Sequence, residues 1–177
     1  MRRLRSGIFI ISCGPKLLER IRKWWHETGL IRLLSPSEQT LVNSSYDNEE
    51  LIRRMSWRGE AAQFLLWALG VFKELPLPCK GIDIVDVLWP HIPKALSEDP
   101  EPFFSASKLR PIEEVLDEVD IIHRMNWACT DQRLGGQEVP KLNHTVVWER
   151  AYASNWLVGY PDGYLTTQEW DEVVVDT

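Results

Sequence analysis

WRGEAAQFLLWALG, residues 57–70, is the stretch on which the fold turns. Read at helical spacing, Leu51, Met55, Arg58, Ala62, Leu65 and Leu69 form one seam, and Trp57, Glu60, Phe64 and Trp67 form its neighbour. The pattern predicts a long helix from Asp47 through Leu69, in which Gly59 costs about 1 kcal/mol relative to alanine and marks a break or a close approach. Each seam carries one charge where an apolar residue belongs. A charge buried alone is strongly unfavourable, so Arg58 and Glu60 must meet partners, line a wet pocket or face solvent despite the pattern.

A partial echo follows 89 residues on, where Glu60, Ala62, Trp67 and Gly70 recur as Glu149, Ala151, Trp156 and Gly159. Amphipathic helices commonly end at a glycine, so the echo alone does not establish a duplication. Its chemical content is independent of ancestry. Arg58, Glu60, Glu149 and Arg150 place matched charges on two Trp-bearing helices, the composition of a closed buried ion network. Asn155, beside Trp156, has an amide that can donate and accept, and is expected to cap that network.

A chain of 177 residues with 44% hydrophobic residues and nine tryptophans supports one domain with a sizeable core. The expectation is therefore a single domain over 1–177, with 1–14 as an N-terminal extension or short strand and 15–177 as the helical core. The formal charge of −6 hides an asymmetry, because residues 1–58 carry +5 and residues 59–177 carry −11. An acidic body argues against a main role on nucleic acid, where phosphates need a basic footprint, and suits a basic protein partner.

Cys13, Cys79 and Cys129 are widely spaced and form neither a CxxC pair nor a Cys/His cluster, so no disulfide framework or zinc site is indicated and a reducing, cytoplasmic setting is expected. The start, MRRLRSGIFIISCG, resembles a lipoprotein cleavage site ending at Cys13. Its apolar run, Ile8 to Ile11, is about half the roughly 7–15 residues of a signal core, and a short strand is the competing reading. No run approaches the ~20 apolar residues of a membrane span.

Pro15 opens a helix to about Thr28, closed by Gly29, and Ser35-Pro36-Ser37-Glu38 reads as a capped start for a short helix. Six prolines between 74 and 107 allow only short helices near 82–88 and 93–97, with SEDPEP (97–102) as an exposed loop. Pro111 opens a helix to Leu134 that stops at Gly135-Gly136, and a last helix spans about Thr145 to Val158. The fold expected is all-α, about six helices around a Trp-rich core, with minor β structure at 8–12 and 172–176.

On the 111–134 helix, Asp120, Arg124, Trp127 and Asp131 share one face, with His123 beside them. Asp120 with Arg124 reads first as an exposed i,i+4 pair, and Asp120 with His123 as the competing acid–base pair. No nucleophile motif accompanies them. Glu60 with Glu149 is the best two-carboxylate pair, although Arg58 and Arg150 should lower both pKa values and so remove a general acid. His26, His91, His123 and His144 are too far apart for a metal-binding helix, and no phosphate-cradling loop occurs. No cofactor or metal is expected.

The ordered set WRGEAAQFLLWALG, LRPIEEVLDEVDIIHRMNWACTDQRLGG (109–136), VVWERAYASNWLVGY (146–160) and WDEVVVDT (170–177) resembles the bacterial family known as domain of unknown function 4272, over about residue 16 to Thr177. The resemblance carries over Arg58, Glu60, Trp67, Arg124, Trp127, Glu149, Arg150, Asn155, Trp156, Trp170, Asp171, Asp176 and Thr177. Gly59 stands where the family usually has a small polar residue, and Pro111 where it often has serine. What the resemblance implies is a mainly helical domain, with no established activity, cofactor or catalytic residue.

The leading functional expectation is a non-catalytic cytosolic protein-binding module of toxin-neutralising or accessory type, meeting a basic partner through residues 98–120 with Phe103 and Phe104 as anchors. The alternative is a small-molecule-binding protein or hydrolase-like enzyme using the Arg58/Glu60/Glu149/Arg150 cluster in a Trp-lined pocket. Trp170 requires the tail to fold back, with Asp176 pairing with an arginine on a core helix.

Overall fold

The structure is a computed structural model that describes residues 15–44, 49–93, 98–136, 139–160 and 169–176, the side chains of 15–18 and 21 excepted. It is all-α. Among the described residues there are seven α-helices and no strand: α1 (Pro15–Glu27), α2 (Pro36–Asn43), α3 (Glu49–Ser56), α4 (Arg58–Ala68), α5 (Glu101–Ala106), α6 (Ile112–Leu134) and α7 (His144–Val158). The strand expected at 8–12 lies outside the described residues, as does most of the helix expected at 93–97. At 172–176 the strand does not form: Trp170–Glu172 is a 3-10 turn, and Val173 continues extended without a ladder.

The described residues divide into two compact units, one within 1–59 and 83–106, the other within 60–82 and 107–177. In the first, Trp25, Leu34, Leu41, Val42, Leu51 and Met55 form the core. Its corner is fixed by Arg22, which donates to the carbonyls of Val42 and Ser44. The α2 start is a capping box: Ser35 Oγ accepts from Glu38 N–H while Glu38 accepts from Ser35 N–H. Ile84–Leu88 is a single π-helical turn capped by the Asp83 carboxylate. SEDPEP is not a loop throughout, since Asp99 accepts from Glu101 N–H and the chain enters α5 at Glu101.

The expected long helix is broken. Trp57 is a turn between α3 and α4, two residues before Gly59. Separating the two segments frees α4 to be buried around its whole circumference, every residue from Arg58 to Ala68 being buried. A helix buried on all sides belongs to a core, and here the two-seam pattern understated the burial. The same holds for α7, buried at Val146, Val147 and from Glu149 through Asn155. Both helices close on a left-handed glycine, Gly70 at φ 72° and Gly159 at φ 73°.

Candidate functional site

In the second unit α4, α7 and the segment that follows α4 converge on one buried ion pair. Glu60, in the first turn of α4, is 1% exposed, and Arg150, midway along α7, is 3% exposed. Arg150 Nη2 lies 3.6 Å from Glu60 Oε2 and donates to Gln63 Oε1 at 2.8 Å. Gln63 stands three residues after Glu60, hence on the same face of α4. Arg150 Nη1 donates to the Pro76 carbonyl, and Ile82 N–H donates to Glu60 Oε1. One cation and one anion thus pin both ends of residues 76–82 against two helices. The Asn143 N–H, donating to Pro78 O at 2.8 Å, fixes the middle.

The electrostatics correct one expectation. Burial pushes the Glu60 carboxyl above its ordinary value, outweighing the Ile82 hydrogen bond and Arg150, which act to lower it. Burial likewise lowers the Arg150 guanidinium, against the pull of Glu60 and Glu118. Desolvation therefore wins over pairing at this site, where pairing was expected to dominate. Arg58 and Glu149 are buried too, 8% and 3% exposed.

A cavity of about 180 Å³ adjoins the pair. Arg150 and Glu118 are its charged lining, and Glu118 is raised by burial against the lowering effect of Arg150. Its other walls are leucine, proline, isoleucine, methionine and valine, so the pocket beside Arg150 is aliphatic and not lined by tryptophan, as had been expected. Glu60 does not reach it.

The stripe on α6 separates into exposed and clamping residues. Asp120 and Arg124 form the expected surface pair at 2.8 Å, with side chains 60% and 78% exposed. His123 turns away from Asp120, its Nε2 lying 2.6 Å from Asn155 Oδ1. Asn155 in turn donates to the Val174 carbonyl at 2.7 Å, so it holds the tail and does not cap the charged network. Asn126 donates to the Asp176 carbonyl at 2.8 Å. The tail is docked: Trp170 is 6% exposed, edge-on to Tyr152 and Trp156 at 5.0 and 5.3 Å. Asp176 meets Tyr160 Oη at 2.8 Å in place of the expected arginine. Asp171 is exposed.

Trp127 is 74% exposed and Leu134 78%. With Asp131, Thr130 and Asp176 they line an open groove of about 300 Å³. Phe103 and Phe104 are half-buried and pack edge to face on one another at 6.1 Å. They belong to the first unit, whereas the acidic start of α6 belongs to the second.

Sequence reasoning missed Gln63 and Arg110. Arg110 donates to the carbonyls of Trp67, Phe72 and Lys73, and its guanidinium lies 4.9 Å over the Trp67 ring. It ties the last turn of α4, at Trp67, to the carbonyls of the segment that follows the helix. The Glu60/Gln63 spacing was a usable signal; Arg110, 43 residues from Trp67, offered none.

Among the described residues, no three His, Cys, Asp or Glu side chains converge as a metal site, and no helix is long and apolar enough to cross a membrane. No curated protein and no solved structure matches the chain. A family model described as a domain of unknown function (DUF4272) matches residues 13–173, nearly the whole sequence. The chain therefore belongs to the DUF4272 family.

Proposed function

We propose that this chain is a non-catalytic protein-binding module, of toxin-neutralising or accessory type, that holds a basic partner along the outer seam of α6. The observation that carries the reading is the exposure of Trp127 and Leu134 beside the groove containing Asp131 and Asp176. Large apolar side chains on a regular helix are normally turned inward, and a Trp/Leu pair left in water beside a groove has the form of interface anchors.

The rest of the seam supplies the charge. Glu113, Asp117, Asp120, Arg124, Trp127, Asp131 and Leu134 alternate at four- and three-residue spacing, and all are exposed. Four carboxylates oppose one guanidinium along it. Such a strip complements a basic helix or segment, with the carboxylates acting mainly on approach and the apolar end on retention. The partner surface first expected at 98–120 thus moves along α6, because Phe103 and Phe104 pack on each other and Glu118 turns toward the cavity.

The test is a photo-crosslinking residue at position 134, compared with one at exposed Lys80, in the cells that make the protein. A single basic protein joined at 134 and not at 80 is expected. Its association should be lost in Trp127→Ala, and slowed by salt and by Glu113→Lys/Asp117→Lys. The same products at both positions, or an association indifferent to Trp127→Ala, would refute the reading.

A further inference from the structure

We infer that the cavity beside Arg150 is a binding site for a small, neutral, apolar molecule carrying one hydrogen-bond acceptor. The cavity's volume, about 180 Å³, slightly exceeds the roughly 150 Å³ that accommodates benzene in an engineered apolar protein cavity. Leu75, Leu77, Ile121, Ile122, Met125 and Val147 give it aliphatic walls. Arg150 and Glu118 are the polar groups that break that surface. Arg150 lines the cavity and is 3% exposed, two of its nitrogens are committed to Pro76, Gln63 and Glu60, and its Nε–H is buried with no hydrogen-bond partner.

A buried N–H without an acceptor is unfavourable, and an occupant's carbonyl or ether oxygen would relieve it. The occupant's charge follows from the surroundings. Arg150 already faces the Glu60 carboxylate and the Glu118 carboxyl, so a further anion would meet two acids in a desolvated place. A cation would meet the guanidinium and, bringing no acceptor, would leave its Nε–H unpaired. A neutral molecule with an acceptor at one end and hydrocarbon elsewhere satisfies both constraints. Access is reasonable from the side of Leu77 and Ile121, which are 70% and 44% exposed.

The experiment follows the ¹³C-methyl resonances of Met125 and Ile122 while the full chain is titrated with three probes of similar shape: cyclohexanone, methylenecyclohexane and cyclohexanecarboxylate. Saturable shifts with cyclohexanone are expected, about ten-fold or more tighter than with the hydrocarbon, as one hydrogen bond from a charged donor provides. The carboxylate should bind weakest. Arg150→Lys removes Nε and should erase that preference. Should that variant not fold, Ile121→Trp, at a half-exposed position, fills the space and should abolish binding while the protein stays folded. Absence of any saturable shift would mean water only and overturns the proposal. Equal affinity for ketone and hydrocarbon removes the role of Arg150, and tighter binding of the carboxylate overturns the electrostatic argument. The protein-binding reading stands or falls separately, since neither probe nor variant touches Trp127 or Leu134.

Discussion

Replacing Arg150 by methionine keeps an unbranched stem, shorter than the original side chain, and removes the charge from the centre of the second unit. The Pro76 carbonyl and Gln63 Oε1 lose their donor, and Glu60, 1% exposed, loses the cation at 3.6 Å. Breaking a buried pair by deleting one partner is worth about 3–5 kcal/mol, and the orphaned acceptors lie within that figure rather than adding to it. The signature is in the pH dependence. The Glu60 carboxyl is raised above its ordinary 4.5 by burial, so the folded state holds the proton more tightly than the unfolded chain does. Its contribution to stability is therefore full below about pH 4.5 and is lost as pH rises through the folded value. Arg150 is one of the influences that lowers that value, so Arg150→Met should raise it further and widen the window. The deficit should be largest at neutral pH and shrink as the solution is acidified. Glu118, also raised by burial and lowered by Arg150, moves in the same direction. Denaturant unfolding of wild type, Arg150→Met, Glu60→Gln and the double variant between about pH 5 and 8 separates the two acids, since Glu60→Gln removes the larger response. A deficit under about 1 kcal/mol, or one that is flat with pH, would refute the reasoning.

Trp170→Ala should destabilise by about 3–5 kcal/mol in thermal or denaturant unfolding, because the ring is buried between Tyr152 and Trp156; an unchanged transition would mean the tail contributes nothing. Gly70→Ala should lose about 1–2 kcal/mol by backbone strain alone, since its Cβ would stand 3.9 Å from Lys108 O, an ordinary contact; Gly70→Asn should recover part of this. The Tyr160 phenol is raised by its hydrogen bond to Asp176, so it should ionise later than an ordinary tyrosine in an absorbance titration and return towards normal in Asp176→Asn. Its small contribution is present below the unfolded value of 10.0 and is lost as pH rises through the folded one. Arg124→Ala should change stability by less than about 0.5 kcal/mol, the exposed pair with Asp120 being weak.

Local signals were legible in the sequence wherever a residue acts on its own neighbours. Ser35 with Glu38, Pro111 opening α6, and Gly159 closing α7 placed helix ends within a residue or two. Placing Glu60 and Arg150 among the important charges followed from the physical oddity of charge in an apolar pattern. Which groups they engage did not, because Pro76 and Ile82 take part through main-chain atoms that any sequence possesses. Asn155 was misread for the same reason: its partner is the Val174 backbone, and nothing in residue type announces a carbonyl. The sign of the Glu60 shift depends on how little water reaches it, a quantity set by the enclosure of α4 and invisible in spacing.

The two asparagines that hold the tail are the points at which the loss of a single amide would be felt. Asn126 and Asn155 each direct an amide N–H₂ at a backbone oxygen, of Asp176 and Val174. Hydrolysis of either amide to aspartate would replace that donor by a carboxylate facing a carbonyl, turning attraction into repulsion at a part-buried site. The damage would release the tail although no residue of the tail had changed. Conversely, the exposed side chain at 174 can be exchanged without disturbing the grip, because what is gripped is the chain itself.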